Sequence, residues 1–209
     1  MSVDTTSECG VCSRMHAIMF DFLAHYQYEL SYSDEVRQRH AEIGGFCPLH
    51  TWQYAEIASP RGICTAYAAV CRAWSARLAE GLPADIRSLV PGSDRCPACS
   101  RRGSAERQEL EKTAARVSAQ PDDRPPPLCL IHLEALAHMV SADAYQRLVH
   151  TQAAVYAEIA EHMENYTRND RPGRRERLTA GQRVAHRVGL SRLVGHKRLL
   201  APWEFERTL

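Results

Sequence analysis

Apolar residues recur at helical spacing along most of the chain. From Val11, the positions Met15, Ile18, Met19, Phe22, Tyr26 and Leu30 follow the helical period, with Arg14, Asp21 and Glu29 between them. That pattern predicts an amphipathic helix. A polar stretch from Ser33 to Glu42 then leads to Gly44 and Gly45, which break the chain before Phe46. Pro48 suits the first position of a new helix, where its missing N–H costs nothing. This helix carries Trp52, Tyr54 and Ile57 and ends at Ser59-Pro60. A longer one follows from about Ile63, with Tyr67, Val70, Trp74 and Leu78 on one face, and stops at Gly81 and Pro83. Residues 84–95, which include Pro91-Gly92, read as a connection.

The same order then returns. A helix is predicted from near Cys96 to about Ala119, with a thin apolar face of Leu110, Ala114 and Val117. The segment Pro121 to Pro127 is a stiff linker that no helix can cross. Leu128 takes the place of Phe46, and helices over Ile131–Val140 and Ala142 to about Tyr166 match the earlier pair. Beyond them, Thr179 and Gln182 form a T-x-x-Q capping box. It opens a short helix through Val184, Val188, Leu193 and Val194, which Gly195 ends. No alternating strand pattern occurs. The expected fold is all-α, with two tandem helical repeats, each organised around one Cys3His metal site, and a basic helical tail. The boundaries expected are 1–83 for the first repeat, 84–95 for the connection, 96–168 for the second repeat and 169–209 for the tail.

The duplication carries chemistry. Cys9 and Cys12 form a C-x2-C pair, and Cys47 with His50 forms a C-x2-H pair 35 residues on. Cys96 and Cys99 repeat the first pair, and Cys129 with His132 repeats the second, 30 residues on. Each repeat so read supplies three thiolates and one imidazole, a complete tetrahedral set for Zn²⁺ with no open position. The expectation is two Zn²⁺ ions, one on Cys9, Cys12, Cys47 and His50, the other on Cys96, Cys99, Cys129 and His132. An iron–sulfur cluster is the alternative cofactor, since three thiolates and a histidine can also hold one. A thioredoxin-like dithiol needs a βαβ context that is absent here. Four protein ligands per ion favour a structural over a catalytic role.

The motif order resembles that of a family of uncharacterised prokaryotic proteins with a duplicated C-x2-C and [F/L]-C-x2-H arrangement. The matching stretches are Glu8 to Cys12, Gly45 to His50, Cys96 to Cys99, Leu128 to His132 and, more loosely, Tyr166 to Gly195. Pro127 stands where the first repeat has Gly45. The resemblance implies the paired metal sites and the fold, and carries no activity with it.

Composition refines this picture. The chain has 209 residues and a net charge of +1, but the charge is unevenly spread. Residues 1–166 hold 15 basic and 21 acidic side chains, and residues 167–209 hold 11 and 4. Arginine outnumbers lysine by 24 to 2 throughout, so the tail's arginines partly reflect a general bias. The basic tail can meet nucleic acid, an acidic protein or the acidic body of its own chain. The last is expected, with the helix from Ala180 to Val194 docking through Val184, Val188 and Leu193. No run approaches the ~18 apolar residues of a membrane span, and the first residues resemble no export signal. A cytoplasmic setting is therefore expected, with thiols reduced.

Other candidates have plainer readings. Cys64 and Cys71, seven residues apart on one helix, are expected in the core. Trp52, Tyr54, Tyr67 and Trp74 read as core aromatics. His16, four residues after Cys12, is the one further histidine placed to compete for the first metal. The chain has no P-loop, Rossmann glycine pattern, G-x-S-x-G or H-E-x-x-H, so the balance leans away from an enzyme. The expected role is a metal-stabilised module that docks a protein partner, with a thiol-based redox or metal-responsive sensor as the alternative.

Overall fold

A computed structural model describes residues 7–80, 90–120, 126–169 and 178–196. They form eight helices: α1 (Gly10–Tyr32), α2 (Asp34–Glu42), α3 (Pro48–Ile57), α4 (Pro60–Ala79), α5 (Pro97–Ala119), α6 (Leu130–Leu136), α7 (Ala142–Asn169) and α8 (Ala180–Val194). There is no strand among the described residues, so the chain is all-α as expected.

Helix α2 is an element for which the apolar pattern gives no signal. The stretch from Ser33 to Glu42 is too polar to show an apolar period, yet its local chemistry favours a helix. The Ser33 side chain accepts the Val36 N–H, Asp34 and Glu35 occupy the first turn, and Arg39 and His40 the last. Capping plus favourable charge–dipole placement stabilises such a turn without an amphipathic face. Helix α6 is shorter than expected, ending at Leu136. The capping box of α8 is present in both directions, and Gly195 ends the helix at φ +82°. Much of the expected connection (84–89), most of the proline linker (121–125) and the tail positions 170–177 and 197–209 lie outside the described residues.

The chain divides into two compact units. Among the described residues, one is His16–Ala105, and the other joins residues 7–15 with the chain from Glu106 to His196. Helices α1 and α5 each give their first turns to one unit and their remainder to the other.

In the His16–Ala105 unit, α2 packs on α4. His40 is fully buried, with Tyr26, Phe46 and Tyr67 around its ring at centroid distances of 5.6, 5.0 and 5.3 Å. Gly45 turns the chain at φ +88°, and a Cβ there would meet Tyr67 Cε1 at 2.9 Å. Glycine is therefore required for both backbone and space. Tyr54 is buried as expected, but Trp52 is 74% exposed, and Leu78, Cys64 and Cys71 are exposed too. They lie on the outer sides of α3 and α4, where helical spacing alone does not tell which flank of a broad apolar stripe is covered.

In the other unit, α8 lies on α7 and touches α6. Val188 packs with Val155 and Ile159, and Val184 joins their edge. Close approach needs Gly189, where a Cβ would meet Met163 Sδ at 3.1 Å and Ile159 Cγ2 at 3.3 Å. The docking of the tail helix through Val184 and Val188 is thus present. Leu193, however, is 45% exposed, and its neighbour Arg192 is the residue turned inward. No described helix is long and apolar enough to cross a membrane.

Candidate metal centres

The eight expected ligands come together, but not in the expected sets. Cys9 and Cys12 meet Cys129 and His132, while Cys96 and Cys99 meet Cys47 and His50. Within each set the four ligand atoms lie within 4.8 Å of one another. Each C-x2-C is completed by the C-x2-H of the other half of the sequence, so one site per linear repeat is corrected to two crossed sites.

Cys47 and His50 belong to the same compact unit as Cys96 and Cys99, and Cys9 and Cys12 to the same unit as Cys129 and His132.

The four pairs share one local design. Both C-x2-C pairs stand at the start of a long helix, α1 or α5, where i, i+3 spacing aims the two sulfurs the same way. Both C-x2-H pairs open a short helix: Cys47 and Cys129 are the extended N-cap residues of α3 and α6, and the histidine lies in the first turn. Four helix N-termini thus turn toward thiolates, which they stabilise.

In the Cys9 centre, His132 Nδ1 lies 3.3, 3.4 and 3.2 Å from the sulfurs of Cys9, Cys12 and Cys129. The sulfurs of Cys12 and Cys129 are 3.9 Å apart. In the Cys47 centre, His50 Nδ1 lies 3.1, 3.6 and 3.3 Å from those of Cys47, Cys96 and Cys99, and Cys47 and Cys99 are 3.6 Å apart. All ligands are buried except Cys99, which is half-buried. His16 joins neither set.

The electrostatics call for a cation. Hydrogen bonds from Cys12 and Cys129 hold the Cys9 thiol far below its ordinary range, and its own bonds to Cys129 and Cys9 drive Cys12 far above. Cys96 is held low by Cys47 and Cys99, while Cys99 is driven up by the same contacts and Cys47 is pushed up to about 11, chiefly by Cys96. Crowded sulfurs thus share protons, and all three ionise together only with a positive ion among them. Burial pulls the His132 pKa down, but hydrogen bonds to Cys129, Cys9 and Glu106 outweigh it and push it up to about 11.

Support for the ligands differs between the centres. His132 Nε2 lies 3.0 Å from Glu106 Oε1, so a carboxylate orients the ring with Nδ1 toward the sulfurs. Arg192, 1% exposed, donates from Nε to Ser7 O at 2.9 Å and from Nη1 to Leu128 O and Gln152 Oε1, both at 3.3 Å. Neither Glu106 nor Arg192 is evident in the sequence as part of a site. The one available signal was an arginine among the apolar positions of a capped helix, hidden by the general abundance of arginine.

Comparison with family models, curated proteins and solved structures finds no match.

Proposed function

We propose that this is a zinc protein in which two closed Cys3His centres hold the helices of two units in place, leaving helical surfaces to dock a protein partner. The observation that carries the reading is the convergence of eight ligand atoms into two four-ligand sets, each within 4.8 Å. A tetrahedral Zn²⁺ with Zn–S ~2.3 Å and Zn–N ~2.0 Å sets S···S edges of ~3.8 Å and S···N edges of ~3.5 Å. The contacts described above, from 3.1 to 3.9 Å, fit those edges. A cluster places its ligands on different irons and spreads them farther apart, so the spacing favours a single ion over iron–sulfur. With four protein ligands no position is left for substrate, which supports a structural role.

The docking part of the proposal draws on exposed apolar side chains: Leu130 and Ile131 on α6, and Leu190, Leu193 and Val194 on α8. Such residues are candidates for contact with another protein. Nucleic acid is the weaker partner for the tail, since Arg192 is buried and Arg187 pairs with Glu8 at 3.4 Å. A cytoplasmic setting, with reduced thiols, and kinship with the duplicated Cys/His family belong to the same proposal.

Metal analysis and native mass spectrometry of anaerobically purified protein test the reading. Two equivalents of zinc per chain are expected; an iron-containing, coloured sample would replace zinc by a cluster. A second reading, a thiol-based or metal-responsive sensor, gains support from the half-buried Cys99. Mild peroxide separates the two: a sensor releases zinc reversibly and refolds on reduction, whereas a scaffold keeps its zinc or denatures.

A further inference from the structure

We propose that the two centres are unequal by construction: α8 and Arg192 lock the Cys9–Cys12–Cys129–His132 centre, and the Cys47–His50–Cys96–Cys99 centre is the one that exchanges its metal. The proposal rests on the zinc reading and adds to it a division of labour between the sites.

The lock is built from four features. First, the Arg192 guanidinium binds the carbonyl of Leu128, which immediately precedes Cys129, and that of Ser7, two residues before Cys9. One side chain from the tail helix thus ties together the backbones that present both cysteine motifs. The fork geometry of arginine allows this, and lysine would not reproduce it. Its charge also matters, because three thiolates around a divalent ion leave a net negative charge that a buried cation offsets. Tyr156 fixes the arginine in turn, its hydroxyl donating to Arg192 O at 2.6 Å.

Second, the end of α8 covers the sulfurs. A Cβ on Gly195 would lie 3.5 Å from Cys12 Sγ and 3.8 Å from Cys129 Sγ, so the Gly195 backbone sits where an incoming ligand would approach. Third, Gly10 N–H donates to Pro127 O at 2.9 Å, joining the two motifs directly. The residue matching Gly10 in the other C-x2-C is Pro97, which has no N–H to give. Fourth, Glu106 orients His132. Glu106 lies ten residues after Cys96 on α5; the residue at that offset from Cys9 on α1 is Met19, which offers no carboxylate.

In the Cys47 centre Cys47, His50 and Cys96 are equally buried, but the cover is incomplete at one ligand. In sequence, α4 is followed by the Cys96–Cys99 motif rather than by a counterpart of α8. Its Cys99 is the one ligand of the eight that is not buried. A chelator removes metal stepwise, displacing one protein ligand at a time, and the half-buried thiolate is where displacement starts. Support around a ligand changes metal retention by ~10–100-fold, enough to separate the two centres in time.

The test uses the full-length, zinc-loaded chain. It is mixed with excess 4-(2-pyridylazo)resorcinol, and released thiols are trapped with N-ethylmaleimide and mapped by mass spectrometry. The expected result is two phases of one equivalent each, the second at least about tenfold slower. Cys47, Cys96 and Cys99 should be modified in the first phase, and Cys9, Cys12 and Cys129 in the second. Arg192→Met should speed the slow phase about tenfold or more and leave the fast one unchanged, with Arg192→Lys intermediate. The order of release in the unmutated chain needs no variant, so a poorly folding Arg192→Met does not remove the test. Equal rates, or earlier modification of Cys9, Cys12 and Cys129, would overturn the proposal; an unaltered slow phase in Arg192→Met would remove Arg192 from it. A chain holding fewer than two equivalents at the outset would instead sink the zinc reading beneath it.

Discussion

The sulfur of Cys99 lies 3.3 Å from Nδ1 of His50, 49 residues earlier in the chain. That contact joins the second C-x2-C to the first C-x2-H, and it makes each centre depend on both halves of the sequence. Neither half carries a complete ligand set as the chain is folded.

Crossed ligands have a stoichiometric consequence. Cys47→Ser and Cys96→Ser should each remove one equivalent of metal, and the double variant should remove no more than that one. Cys47→Ser combined with Cys129→Ser should remove both. Apparent binding energies of ~10–16 kcal/mol for structural zinc mean that each loss is also a large loss of stability. Metal content by mass spectrometry, with thermal melts alongside, reads both.

Glu106→Ala should weaken metal binding at the His132 centre by ~10–100-fold and leave the His50 centre unchanged, because the carboxylate fixes which ring nitrogen faces the sulfurs. Competition with a chelator of known affinity, monitored per site by cysteine protection, measures this. Equal weakening of both centres would show that Glu106 acts on the fold rather than on His132.

His40 should make the protein acid-sensitive. Burial pushes its pKa down to about 4, its Nδ1 lies 3.4 Å from the Tyr26 hydroxyl, and its Nε2 has no protein hydrogen-bond partner. The folded state therefore holds the ring neutral, while the unfolded chain takes up a proton near pH 6.5. Its contribution is complete above pH 6.5 and is lost as the pH falls toward 4, by up to about 1.4 kcal/mol per pH unit. Protonating metal ligands add a separate acid dependence, so the measurement is the difference between the unmutated chain and His40→Phe, both zinc-saturated. No difference in slope between pH 6.5 and 5 would contradict the assignment.

Much of this was legible in the sequence, and the failures have specific causes. The period of α1, the proline at the start of α3 and the capping box of α8 each left a local signal that the fold retains. The ligand types and motif spacing named all eight residues that converge in the two candidate sites. The pairing was hidden because spacing names ligand pairs but not which pairs the tertiary fold brings together, and α2 was hidden because a helix held by capping and end charges shows no apolar period. Arg192 was hidden because burial of a charge is decided by carbonyls from Ser7 and Leu128, 185 and 64 residues distant. Trp52 looked like core because spacing gives a face but not the neighbour that covers it.

Gly45→Ala should destabilise the His16–Ala105 unit by at least about 1 kcal/mol, since it combines a positive φ with a Cβ 2.9 Å from Tyr67. Gly103→Ala, with nothing near its Cβ, should be neutral or stabilising by up to ~1 kcal/mol. Denaturant midpoints of the two variants check the contrast.

The crossed pairing is tested most directly by cysteine protection in zinc-loaded Cys47→Ser. With N-ethylmaleimide and peptide mapping, Cys96 and Cys99 should become reactive while Cys9, Cys12 and Cys129 stay protected. Exposure of Cys9 and Cys12 with continued protection of Cys96 and Cys99 would contradict it, and would return each centre to a single linear repeat.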